Sequence, residues 1–436
     1  MSTELLLTVG MFGSLIISIM FGVSLAFALG AIGTIAALLM WGSAGLMPIV
    51  TGVFNYMWML LLAAVPLFVF IGVALSKSSI AADMYEVFYL WSGRVRGGLA
   101  VGTTCFAAAL SAMTGNCSAS TVTTGLVAIP PMRQRGYCES IIFGSIGASG
   151  TMGILIPPSI TLILIGMMTG QSIGKLFAGG LVAGVLIVAA FIFYILARAY
   201  FQPHHCPANQ ETVSLRLKIR ALKSVILPVL IILSILGSLF FGIATPTEAS
   251  SVGALAVLIC VMIRGELTWK FLKDASYQTA SITGMVIWIM FGAAAFVTIY
   301  SGGGGIYFVN SLLMGLDMNP WAMILILQLV ILILGMFLDP FGIILLCIPL
   351  FYPVVQSLGF DPIWYGVIFN IALCIGYITP PFGYNLFYLK SLSPQTEMRD
   401  IFMSVVPFII IMVAALGIMM TFPSIITWLP SVMVPS

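Results

Sequence analysis

Two short stretches carry residues that could hold an ion inside a membrane: Gly153-Ile154-Leu155-Ile156-Pro157-Pro158 and, 223 residues later, Gly376-Tyr377-Ile378-Thr379-Pro380-Pro381. Each sits in the middle of an apolar run, 139–170 and 362–391. Proline there donates no backbone hydrogen bond and obstructs the preceding turn, so both helices are expected to break. A break releases carbonyl oxygens at membrane depth, and such groups are tolerated where protein, water or an ion supplies a partner. Sodium, a hard cation that accepts neutral oxygens, suits them. The alternative is that the proline pairs only kink packed helices.

Other polar groups lie close by in sequence. Two further apolar segments, 98–132 and 321–357, are interrupted at their centres, the first by Ser111 through Thr121 and the second by Gly335 through Gly342. Pairing each interruption with the broken helix of its own half gives two candidate sodium sites. The first takes oxygens from Ser111, Asn116, Gly153, Ile156 and Ser159. The second takes Gly335, Asp339, Gly376, Thr379 and Phe382. Ile156 and Phe382 have no side-chain oxygen, so they can ligate only through the main chain. Asp339 is the only carboxylate expected deep in the membrane, where an acid is costly and usually functional. It could bind a cation, carry a proton, or cap the helix that Pro340 starts. Thr114, Asn116, Ser118, Ser120 and Thr121 offer hydroxyls, an amide and helix N-terminal NH groups to an anionic substrate, and Tyr384 and Asn385 extend that lining. No basic residue is expected in this core, so coupled sodium ions would supply the positive charge.

The elements that must position these groups are transmembrane helices. Of 436 residues, 61% are apolar and 7% charged, which points to a polytopic membrane protein. Runs long enough to span lie near 4–22, 24–41, 50–76, 177–197, 224–243, 246–263, 278–300 and 400–428. They lack the alternation of a membrane β-barrel, so the fold class is all-α. No basic n-region or small-residue cleavage site precedes the first run, which argues against a removable signal peptide. A net charge of +3, scattered over short loops, gives no basis for nucleic-acid binding. The seven cysteines show no CxxC spacing and read as packing residues. His204-His205-Cys206 reads as solvated loop rather than a metal cluster, and no organic cofactor is implied.

The 223-residue offset also relates Asn116 to Asp339, Pro130 to Pro353 and Gly136 to Gly359, as a duplicated half-molecule would. The expected organisation is a first repeat over 1–200, a cytoplasmic linker over 201–223 and a second repeat over 224–436. Each arm of the interrupted segments has about 16 residues, too few at 1.5 Å each to cross a ~30 Å core, so both segments should be re-entrant hairpins. Basic residues set the orientation. Arg94, Arg96, Arg133 and Arg135 flank the first hairpin and place its mouth in the cytoplasm; Asp317 and Asp361 flank the second and place it outside. Five crossings per half then invert the second repeat and leave both termini periplasmic. Lys175 is the one charge against this scheme. Segments 78–95 and 301–319 are expected to cross nothing and to lie at the interface. Ser301 through Gly305 should form a turn, and Glu248 should be a first-turn acid beside Thr245-Pro246.

In Gly125 through Gly136, Gly153 through Ser159, Thr245 through Ala249, Phe337 through Pro340, Gly359 through Pro362 and Gly376 through Gly383, the chain resembles the large membrane subunit of the tripartite ATP-independent periplasmic (TRAP) transporters. The resemblance spans nearly the whole chain. It implies an elevator-type importer of the bacterial inner membrane, driven by about two or more sodium ions. It also implies two partners: a periplasmic substrate-binding protein that delivers an organic acid, and a small four-helix membrane subunit. C4-dicarboxylates and sialic acid are both substrates of the family, with a sugar acid slightly favoured here. One departure is the first tip, Thr114-Gly-Asn-Cys-Ser-Ala-Ser120, where many members are closer to Ser-Gly-Ser-Ser. Three other classes are distinguishable: a stand-alone anion symporter or exchanger, a channel, and an intramembrane enzyme. The last is disfavoured, because both histidines lie in the linker and Asp339 has no second buried aspartate to work with.

Overall fold

Leu, Ile, Met and Phe runs give the backbone nowhere to hydrogen-bond but within its own helix. The computed structural model describes residues 3–92, 95–207, 214–315 and 318–433, and all regular structure among them is helical. Two charges used for orientation, Arg94 and Asp317, lie outside the described residues. The first half contains α1 (Thr3–Met20), α2 (Leu25–Trp41), α3 (Leu46–Met57), α4 (Ala64–Lys77), α5 (Ile80–Trp91), α6 (Gly98–Thr114), α7 (Cys117–Gln134), α8 (Glu139–Gly150), α9 (Ile160–Thr169) and α10 (Ile173–Phe201). The second contains α11 (Leu215–Phe240), α12 (Pro246–Ile263), α13 (Trp269–Gly302), α14 (Gly305–Met314), α15 (Pro320–Phe337), α16 (Pro340–Ser357), α17 (Pro362–Gly376), α18 (Tyr384–Leu392), α19 (Met398–Thr421) and α20 (Ser424–Met433). Among the described residues, eight helical stretches are long and apolar enough to cross a membrane, or nine if the bent α11 counts as one.

Polar residues start most of the helices that matter here. Asn116 caps α7 and Asp339 caps α16, each through a side-chain oxygen that accepts from two backbone NH groups. Asp361 caps α17, and Thr245 with Glu248 forms a reciprocal capping box on α12. Glu248 is therefore the first-turn acid that its sequence position suggests. Ser301 through Gly305 makes the expected turn, with Gly304 at φ +81° between α13 and α14. Gly304 has the left-handed conformation that a Cβ disfavours.

Three expectations change. The run at 50–76 is not one helix: Pro66 obstructs the turn before it, and the chain reaches α4 through a 3-10 turn at Leu60–Ala63. The run at 400–428 is also divided, because Pro423 forces Phe422 out of helical geometry (φ −121°, ψ 76°), ending α19 and beginning α20. Finally, the hairpin arms have 17 or 18 residues, and α16 alone is long and apolar enough to span. At 1.5 Å per residue these arms still fall slightly short of a ~30 Å core.

Helix α13 packs along α2, α3 and α4, while α12 packs on α4 and α11. At the α2–α13 crossing a Cβ on Gly33 would lie 2.8 Å from the Ala295 carbonyl carbon, so glycine allows the backbones to meet. The two hairpins and both broken helices form a second packed group: α6 and α7 on α8, α15 on α17, α16 on α9, and α18 on α7.

Candidate functional site

In the first half, α8 ends at Gly150, a 3-10 turn covers Thr151–Ile154, and α9 restarts after Ser159. The Pro157-Pro158 peptide is cis, as is Pro380-Pro381 in the second half. The hairpin tip rests directly on this break. A Cβ on Gly153 would lie 2.8 Å from the Asn116 carbonyl carbon and 3.0 Å from the Cys117 nitrogen. Asn116 Oδ1 accepts from Ser118 N at 2.8 Å and Ala119 N at 3.4 Å, which fixes the tip.

The first break is densely supplied with protein donors. The Ile154 carbonyl accepts from Thr161 Oγ1 at 2.8 Å, from Ser159 Oγ and from Asn370 Nδ2 of the second half. The Thr151 carbonyl accepts from the thiols of Cys117 at 3.3 Å and Cys374 at 3.4 Å. Two of the carbonyls released by the break therefore already have partners. Ser159 Oγ also accepts from Leu162 N at 3.3 Å as the cap of α9, so its oxygen is shared between cap and break. The Ile156 side chain fills the space beside Gly184 of α10, leaving only its main chain available for ligation.

The second break has the same plan with fewer side-chain donors. A Cβ on Gly376 would lie 2.7 Å from Gly335 Cα, so the end of the first arm of this hairpin meets the break at two glycines. Thr379 Oγ1 donates to the Ile375 carbonyl at 2.6 Å, Thr379 N donates to Gly376 O at 3.1 Å, and Asn385 N donates to Tyr377 O at 3.2 Å. Asp339 Oδ1 accepts from Phe341 N at 2.9 Å and Gly342 N at 3.1 Å. The Phe382 ring packs on Phe337 at 5.4 Å. Tyr377 and Tyr384 stack at 5.9 Å. A cavity of about 370 Å³ opens here, lined by Ser24, Trp288, Leu338, Asp339 and Tyr384. It lies between the α1–α2 turn, α13 and the second hairpin tip.

The structure thus brings Asn116 to Gly153, Gly335 to Gly376, and Asp339 and Tyr384 to one cavity. Other predicted site residues, one a sodium-ligand candidate and the rest lining candidates, make contacts within the protein. Ser111 and Ser120 bond each other at 2.9 Å across the seam of the first hairpin, and Ser120 also donates to Ala107 O at 3.2 Å. Thr114 Oγ1 turns back to the Asn116 carbonyl at 3.3 Å, and Thr121 is buried against Gly150. Asn385 is fully buried and donates to Gly147 O of α8 at 2.8 Å, a bond between the halves. Sequence reasoning missed Asn370, Tyr377 and Trp288. Asn370 had a visible signal, a lone amide within the apolar run of α17.

The family model for "Tripartite ATP-independent periplasmic transporter, DctM component" matches residues 12–425. The chain belongs to this family. It is 30% identical over 373 residues to the C4-dicarboxylate TRAP transporter large permease protein DctM of Pseudomonas aeruginosa, with 85% of this chain and 86% of that protein covered. It is 28% identical to the sialic acid TRAP transporter permease protein SiaT of Haemophilus influenzae, covering 86% of this chain and 60% of that longer protein. The Alcanivorax borkumensis YdaH transporter, described as having an unusual topology, superposes with a TM-score of 0.65 at 13% identity, over 92% of this chain and 98% of that one. That likeness concerns the fold alone. As a TRAP large permease, the chain is a multi-pass membrane transport component and not an enzyme.

Proposed function

We propose that this TRAP permease moves a small organic acid across the bacterial inner membrane by sodium symport, with one sodium at each hairpin–break junction. The observation that carries the reading is that each tip meets the Gly-x-x-x-Pro-Pro break of its own half, Asn116 at Gly153 and Gly335 at Gly376. Their donors are neutral oxygens, together with one carboxylate at Asp339, a set that fits a hard monovalent cation. Thr151 and Cys374 support duplication: they stand 223 residues apart and touch one another, as equivalent residues do beside a two-fold axis. Inverted repeats over 1–200 and 224–436, re-entrant hairpins, periplasmic termini and an elevator movement of the hairpin group against α2, α4, α12 and α13 complete the proposal.

The substrate class follows the relatives named for C4-dicarboxylates and sialic acid. The organic acid arrives from a periplasmic binding protein, and a small four-helix subunit supports the permease in the bilayer. Reconstitution of this chain with both partners in liposomes should give uptake that depends on an inward sodium gradient. Uptake unchanged by sodium removal would sink the symport reading, while uptake by this chain alone would favour a stand-alone symporter.

A further inference from the structure

The first hairpin tip carries a cysteine immediately after its capping asparagine, and its thiol does not stand alone. Cys117 Sγ lies 3.3 Å from the Thr151 carbonyl oxygen, and Cys374 Sγ, on the broken helix of the other half, lies 3.4 Å from the same oxygen. Two sulfurs on one acceptor are within about 7 Å of each other, and thiolate–metal bonds of about 2.3 Å close most of such a gap with small side-chain rotations. Both residues are almost wholly buried, at 3% and 0% exposure. The backbone around Cys117 has little freedom, because Gly153 packs against Asn116 and the Cys117 nitrogen.

We propose that Cys117 and Cys374 form a binding site for a soft, two-coordinate d10 cation such as mercuric or cuprous ion. Binding breaks two S–H bonds and forms two S–metal bonds, and two protons leave with no change of oxidation state. Thiolate sulfur selects soft cations, so the hard sodium ion of the neighbouring junctions does not compete for this pair. The bound metal joins the tip of the first hairpin to α17 of the second half. Any transport step that separates these two elements then stops. The site depends on the placement of the two thiols and not on which ion or solute the permease carries.

The probe is mercuric chloride, a neutral species that enters apolar surroundings. In a full-length variant with Cys105, Cys138, Cys206, Cys260 and Cys347 replaced by alanine, one mercuric ion per chain should protect both remaining thiols from maleimide added after unfolding in thiol-free detergent, as counted by intact mass, whereas the mercury-free control should be alkylated at both. Two mercuric ions per chain, or two thiols still fully alkylated, would overturn the proposal. Should that variant fold poorly, the natural chain is compared with Cys117→Ser and Cys374→Ser in competition with a small dithiol. Each substitution should weaken the tightest mercury site at least by the roughly 10- to 100-fold that loss of even an outer partner costs a metal site. Equal affinity in all three proteins would also overturn it.

Discussion

The two hairpin tips place different residues in the same geometry. At the first, Asn116 Oδ1 accepts two backbone NH groups of α7; at the second, Asp339 Oδ1 accepts two of α16. A neutral amide therefore suffices for the cap. The carboxyl group of Asp339 is an addition that capping does not require, and it lies beside the cavity lined by Trp288 and Tyr384. The breaks differ in the same direction. Residues 151–165 around the first are buried, and side-chain donors hold Thr151 and Ile154. Around the second, Pro381, Phe382 and Tyr384 are exposed. The first junction is braced by protein side chains, and the second is the more exposed of the two.

The sharpest way to break this comparison is to make the tips alike. Asp339→Asn keeps the cap and removes the charge. Uptake should fall on the order of a hundredfold, equivalent to about 2.7 kcal/mol in the rate-limiting step, with thermal stability nearly unchanged. Asp339→Ala should lose similar activity and also about 1 kcal/mol of stability with the cap. If Asp339→Asn transports normally, the carboxylate is a cap and nothing more. Uptake is measured in the reconstituted system and stability by detergent thermal melts.

A smaller effect tests the bracing of the first break. Asn370→Leu removes a donor from the Ile154 carbonyl but leaves Ser159 and Thr161 bonded to it. The loss should be about 1 kcal/mol of stability, because one of three bonds is lost rather than the only one. Uptake should fall by about tenfold if the junction must stay fixed for ion binding. Normal uptake with lowered stability would make Asn370 a packing residue.

Much of this arrangement was legible in the chain. Proline pairs and Asx residues act locally, so the breaks at 150–160 and 376–384 and the turns after Thr114 and Phe337 coincide with their sequence signals. The direction of side chains was not legible. Ser111, Ser120 and Asn385 are polar residues near the tips, yet each is turned into a seam by a partner distant in sequence, at Ala107, Ser149 or Gly147. Composition could not separate a hydroxyl that lines a site from one that joins two helices. The same limit hid the meeting of Cys117 with Cys374, because a pair 257 residues apart has no spacing signature.

The finest test compares Thr379 with Ile156, two positions related by the 223-residue offset. The Thr379 hydroxyl donates to Ile375 O and keeps its lone pairs, on a residue that is only partly buried. Thr379→Val preserves shape and removes that oxygen. It should raise the sodium concentration for half-maximal uptake by about tenfold, or about 1.4 kcal/mol of ion binding, while uptake at saturating sodium stays close to normal. Ile156→Val removes one methylene from the contact with Gly184 and no oxygen. Its cost should be about 1 kcal/mol of stability, with sodium dependence unchanged. The two substitutions are of similar size, so a shift in sodium dependence confined to Thr379 assigns the effect to the lost oxygen. Equal shifts, or loss of folded protein in both, would mean that the proline pairs shape the helices without holding an ion.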